Sequence, residues 1–104
     1  MPFNKARAKN PGTILIVEDN IFMAELLAEK IFNSGYEAVS VYDGKEALEK
    51  IKQKPSLVLL DMPLPGEING FDLLSRIRSS YSKTEIPVVL LFNLTDPAII
   101  EPDP

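Results

Sequence analysis

The sequence predicts an α/β domain, a parallel β-sheet carrying helices on both faces. The order of the segments predicts it. Short β-branched apolar runs alternate with stretches of helical periodicity, in the order β-α-β-α-β-α-β. That fold makes a second observation informative: acidic residues stand directly behind two of the apolar runs, where such a sheet binds its ligands. The 104 residues suffice for one domain and not for two, because a domain usually needs roughly 100. Each crossover between parallel strands is expected to be right-handed.

The first strand is read at residues 13–17, Thr-Ile-Leu-Ile-Val, a run suited to burial on both faces. The period then changes. Phe22, Leu26, Leu27, Ile31 and Phe32 recur at helical spacing over residues 21–33, with Glu25, Glu29 and Lys30 on the other face. Asp19 or Asn20 supplies the N-cap, and Ser34-Gly35 the stop. Residues 37–42 form the second strand. Asp43 caps a helix through Ala47, Leu48 and Ile51, whose C-terminal end is favoured by Lys50, Lys52 and Lys54. Pro55 closes it. Residues 57–60 form the third strand, followed by Asp61 and a loop from Met62 to Gly70 rich in proline and glycine. A third helix is read at residues 71–79, with Leu73, Leu74 and Ile77 inward. The fourth strand is residues 86–92, with Pro87 at its start. Residues 1–12 read as a flexible basic tail and residues 93–104 as a proline-rich acidic tail, flanking a domain at 13–92.

Composition excludes several functions. The chain has no cysteine and no histidine, which removes disulfides, thiolate nucleophiles, Ser-His triads, haem ligation and nearly all zinc sites. The net charge of −4 argues against direct nucleic-acid or anionic-membrane binding. No apolar run approaches the roughly 18 residues of a membrane span, and the first residues lack a signal peptide's apolar core. A cytoplasmic location is expected.

The acids carry the chemistry. Glu18 and Asp19 follow the first strand, and Asp61 follows the third. If those strands are neighbours, three carboxylates converge. Mutual repulsion then raises their proton affinity unless a hard cation such as Mg²⁺ holds them ionised. A carboxylate beside Mg²⁺ can also attack phosphorus. The plainer reading of Asp19 is a helix cap. Asp61 resists that reading, because Pro63 and Pro65 follow it and four apolar residues precede it.

The order of these segments resembles the receiver domain of two-component response regulators. The matching stretches are Ile14 to Asn20, Gly35 to Ala38, Tyr42 to Leu48, Leu57 to Gly66, Asn69 to Leu74 and Ile86 to Val89. Each is weak alone; together, in order, they are specific. The resemblance implies a flavodoxin-like three-layer fold, with the family's strand order 2-1-3-4-5. It implies that Asp61 accepts a phosphoryl group from a sensor histidine kinase or phosphotransfer protein. It implies Mg²⁺ bound directly by Asp19 and Asp61 and by the backbone carbonyl of Pro63, with Glu18 acting largely through water. The module is expected to signal rather than to be an enzyme.

Three departures from the family pattern shape the expectation. The loop from Pro65 to Gly70 is one residue longer than usual. Phe92 stands where the family places a Thr or Ser whose hydroxyl contacts the phosphoryl group. The family continues with a fourth helix, a fifth strand and a fifth helix, and its phosphate-contacting lysine follows that fifth strand. Residues 93–104 are too short and proline-rich to supply these, so a sheet of order 2-1-3-4 is expected. Switching is then impaired or rerouted, and strand 88–92 becomes an edge through which a homodimer can form. The alternative is a degenerate receiver that binds partners without phosphorylation. An aspartyl phosphohydrolase is disfavoured, because Pro63 occupies the place where such enzymes often carry a second acid.

Overall fold

The computed structural model describes residues 12–92. Of the tails read at 1–12 and 93–104, residues 1–11 and 93–104 lie outside the described residues. Between them run β1 (Thr13–Val17), α1 (Ile21–Asn33), β2 (Glu37–Val41), α2 (Gly44–Ile51), β3 (Leu57–Met62), α3 (Gly70–Ser80) and β4 (Val88–Phe92). All strand pairs are parallel, and the order is β2-β1-β3-β4, as predicted.

The strands form because their apolar residues can be buried on both faces of the sheet. Leu15 and Val17 of β1 join Val41, Val58, Leu60 and Met62 on one face, against Ala47 and Ile51 of α2 and Leu73 and Ile77 of α3. Ile14 and Ile16 alternate to the other face and are also buried, as is Ala24 of α1. At about 25 cal/mol per Å² of apolar surface removed from water, this two-sided burial is the main favourable term.

The helix caps follow the local chemistry. Asn20 accepts from the Met23 N–H, Asp43 from Glu46 and Asn69 from Asp72, each satisfying a donor at a helix start. Glu46 reaches back to the Tyr42 N–H, tightening the entry to α2. At the far end of α3, Arg78 holds the following turn by donating to the carbonyls of Tyr81, Ser82 and Ile86.

The structure corrects several sequence readings. β3 does not stop at Leu60. It continues through Asp61 to Met62, because β4 keeps pairing with it as far as Phe92. β2 ends at Val41 rather than at residue 42. β4 starts at Val88, since Pro87 has no N–H for the ladder, although its carbonyl accepts from Val58. α3 starts one residue earlier and ends one later than expected, with Asn69 as its cap.

The largest difference concerns α1. Phe22 and Leu26 belong to the apolar stripe that helical spacing sets opposite Glu25, Glu29 and Lys30. Phe22 is instead 84% exposed and Leu26 is exposed as well, whereas Ala24 is fully buried. The helix packs against β1 and β2 with Ala24, one of its two alanines, fully buried, and Leu27, Ile31 and Phe32 are only half-buried. Helical spacing gives a stripe of apolar residues but does not say which edge of the stripe meets the sheet.

Candidate metal centre

The site is built by strand register. Val17 of β1 stands opposite Leu60 of β3. The next residue in each case is an acid, Glu18 just past the end of β1 and Asp61 within β3. Neighbouring strands lie about 4.8 Å apart, so the two carboxylates emerge side by side at the C-terminal edge of the sheet. Asp19 follows Glu18 on the turn into α1. One carboxylate oxygen from each of Glu18, Asp19 and Asp61 lies within 4.8 Å of the others.

The cap assignment frees Asp19 for this cluster. Asn20, not Asp19, caps α1, so the plainer reading of Asp19 does not hold. The backbone N–H of Asn20 donates to Glu18 at 3.0 Å and points that carboxyl into the site. The Glu18 N–H itself donates to the Val41 carbonyl, which ties the turn to β2.

The three acids differ in their surroundings. Glu18 is 5% exposed, Asp61 is half-buried and Asp19 is exposed. Burial, opposed by the Asn20 hydrogen bond and reinforced by the negative charge of Asp61, pushes the Glu18 carboxyl up to about 7. Burial also raises the Asp61 carboxyl from its ordinary value. A hydrogen bond from Glu18 partly offsets that rise, and the charge of Asp19 adds to it. A cluster that holds protons this tightly is one that a divalent cation can discharge.

The donor set fits Mg²⁺. All the donors are oxygens, and the ion prefers one or two carboxylates with several waters. Oxygens around it stand about 2.9 Å apart when adjacent and about 4.2 Å when opposite. The observed spread needs little contraction, or one intervening water.

The other predicted positions lie nearby. Pro63 follows β3 directly and is exposed, and the Met62–Pro63 peptide is cis. Phe92 ends β4 opposite Met62, one residue past the partner of Asp61, and is 46% exposed.

Sequence reasoning recorded Gly70 only as part of a motif and missed its steric role. A Cβ at Gly70 would run into the Met62 sulfur and stand 3.7 Å from the Asp61 carbonyl. The start of α3 therefore passes hard against the strand that carries Asp61. Gly44 is constrained likewise, since its Cβ would lie 2.6 Å from the Ile68 carbonyl oxygen. A bare Gly-Phe or Asp-Gly pair carries no sign of such contacts. Asn69, three residues before Asp72, was a cap signal that could have been read.

A parallel α/β sheet with clustered carboxylates at the C-terminal ends of two adjacent strands describes a class of acid-pocket signalling and phosphoryl-transfer proteins. Comparison with known proteins narrows it. The model of the response regulator receiver domain matches residues 14–99, and the chain belongs to that family. It is 37% identical over 78 residues to the uncharacterized transcriptional regulatory protein YrkP of Bacillus subtilis, covering 75% of this chain and 32% of YrkP. It is 36% identical over 84 residues to the DNA-binding response regulator MtrA of Mycobacterium tuberculosis, covering 80% of this chain and 35% of MtrA. The chain thus spans about a third of the length of these curated relatives.

Among solved structures, the BeF3-activated N-terminal receiver domain of Klebsiella pneumoniae RstA superposes with a TM-score of 0.70 at 33% identity. The match covers 83% of this chain and 71% of that one. The N-terminal domain of a response regulator/sensory box/GGDEF protein from Carboxydothermus hydrogenoformans gives 0.73 at 33% identity, over 86% and 70%. No helix among the described residues is long and apolar enough to cross a membrane.

Proposed function

We propose that the chain is a phospho-accepting receiver module whose acceptor is Asp61. The observation that carries this reading is the meeting of the Glu18, Asp19 and Asp61 carboxylates within 4.8 Å. A carboxylate oxygen of Asp61 attacks the phosphorus of a phosphohistidine on a sensor kinase or phosphotransfer protein. The P–O bond forms, the donor's P–N bond breaks, and an aspartyl phosphate results. Asp19 and Asp61, with the Pro63 carbonyl, would hold Mg²⁺, and Glu18 supports it largely through water. Mg²⁺ supplies neutralisation of charge on the transferred group. Proline at position 63 loses only its N–H and keeps the needed oxygen.

Phe92 bears on the output. It has no hydroxyl to reach a phosphoryl group, so phosphorylation is expected to switch the fold weakly or by another route. This residue is also what favours the second reading, an interaction module that does not depend on phosphorylation. Direct contact with nucleic acid or membrane forms no part of the proposal, and the chain is assigned to the cytoplasm with its kinase. Strand 88–92, charge-free and half-buried, supports a homodimer formed edge to edge.

Incubation with acetyl phosphate and Mg²⁺, followed by intact mass, tests the acceptor. A gain of one phosphoryl group that Asp61→Asn abolishes is expected. An unmodified wild-type chain under conditions that label a working receiver supports the interaction module instead.

A further inference from the structure

We propose that the sheet face left open beside α1 docks the α1 helix of a second copy of this chain, each copy supplying the helix that covers the other. The two faces of β3 are unequally closed. Val58 and Leu60 are fully buried in the core with α2 and α3. Leu57 and Leu59 alternate to the opposite face and are only half-buried, although β3 has a strand on either side. Val89 of β4 stands opposite Leu59 and is exposed, and Leu91 stands opposite Asp61 and is half-buried. On this face α1 packs against β1 and β2, where Ile14 and Ile16 are buried. Among the described residues no helix covers the half of it that β3 and β4 form.

The open half has the dimensions of one helix. Two strands span about 10 Å, which is the diameter of a helix with its side chains. The chain also displays a helix surface of matching character. Ala24 of α1 is turned to the sheet, and Phe22 and Leu26 lie two residues before and after it. Two residues are about 200° around a helix, so both side chains stand on its back. Both are exposed. Glu25 and Glu29 border them on one side and Lys30 on the other, a polar rim around an apolar centre. Isolated exposed apolar residues need no explanation. An apolar helix back and a bare apolar strip one helix wide, on the same chain, are self-complementary.

The pairing closes as a twofold. An axis parallel to the strands, within the helix layer, carries α1 from above β1 and β2 of its own sheet to above β3 and β4 of the partner's. The two α1 helices then lie side by side between two sheets, about 10 Å apart. α1 begins at the C-terminal end of β1. Phe22, in its first turn, therefore comes level with the partner's Leu91. Leu26, one turn further, comes level with the partner's Leu59 and the partner's Val89. Two reciprocal footprints of a 13-residue helix, with the contact between the helices, bury on the order of 1,000 Å² in total. That is the lower bound of a specific interface, and it suits a reversible dimer rather than an obligate one. The pairing is separate from the edge contact of β4, which leaves α1 outside.

Sedimentation equilibrium of the full chain from about 1 µM to about 1 mM tests the proposal. The wild type is expected to dimerise with a dissociation constant on the order of 10–100 µM. The double substitution Phe22→Ser and Leu26→Ser should weaken it about a hundredfold, because each side chain counts twice in a symmetric pair. Both positions are exposed, so thermal melts at low concentration should show the fold retained. In a sample mixing ¹³C-labelled and unlabelled chains, intermolecular NOEs should join the Leu26 methyls to those of the partner's Leu59 and the partner's Val89. A double variant that dimerises like the wild type would overturn the proposal and leave edge pairing standing. A wild type that stays monomeric at 1 mM, or intermolecular NOEs confined to β4, would overturn it too.

Discussion

Val17 and Leu60 face each other across β1 and β3, and this single register places Glu18 level with Asp61. A slip of one residue would turn one of the two carboxylates toward the opposite face of the sheet. The acid pocket is thus held by the packing of the apolar residues behind it. Several consequences can be measured.

The pocket should make stability depend on pH. The folded chain keeps a proton on Glu18 up to about pH 7, whereas an unfolded glutamate releases it near 4.5. The native state therefore binds more protons in that window, and stability falls as pH rises through it. Urea midpoints without divalent cations should decline from about pH 5 to about pH 8, and Mg²⁺ should recover them at the upper end. Asp61→Asn should flatten the decline and raise metal-free stability at neutral pH by about 1–2 kcal/mol. A midpoint that climbs with pH would contradict the burial of Glu18.

Gly70→Ala should be costly although alanine is the better helix former. Its methyl group meets the sulfur of Met62, which is buried and has little room to yield. A loss of about 1–3 kcal/mol in chemical denaturation is expected. Met62→Ala in the same chain should recover part of it, since the two changes share one contact. Wild-type stability in Gly70→Ala would show that α3 does not pass so close to β3.

The orientation of α1 predicts an inversion of ordinary expectation. Phe22→Ser should change stability by less than about 0.5 kcal/mol, because the ring is exposed. Ala24→Leu should cost about 1–3 kcal/mol, because that position has no free space. Thermal melts of the two variants decide the matter; the reverse ranking would restore the inward face read from periodicity.

Self-association should run through β4. Val89 is 44% exposed on that strand, and a lysine there blunts an edge without touching the buried face of β3. Light scattering across a dilution series should report a dimer for the wild type and a monomer for Val89→Lys. Identical masses for the two proteins would remove β4 from the interface.

The sequence by itself determined the alternation of strands and helices, because β-branched runs and helical spacing are local properties of the chain. It also determined the acid positions, since Glu18-Asp19 and Asp61 each end an apolar run. The capping role of Asp43 was legible for the same reason. What only the tertiary structure decided depends on partners distant in sequence. Pairing with β4 carried β3 through Asp61, and the choice of Asn20 as cap released Asp19 to the pocket. The closeness of α1 to the sheet buried Ala24 and left Phe22 outside, and the approach of α3 made Gly70 necessary. Periodicity names the residues that can be buried, but burial is a relation between elements, and it is settled only when they pack.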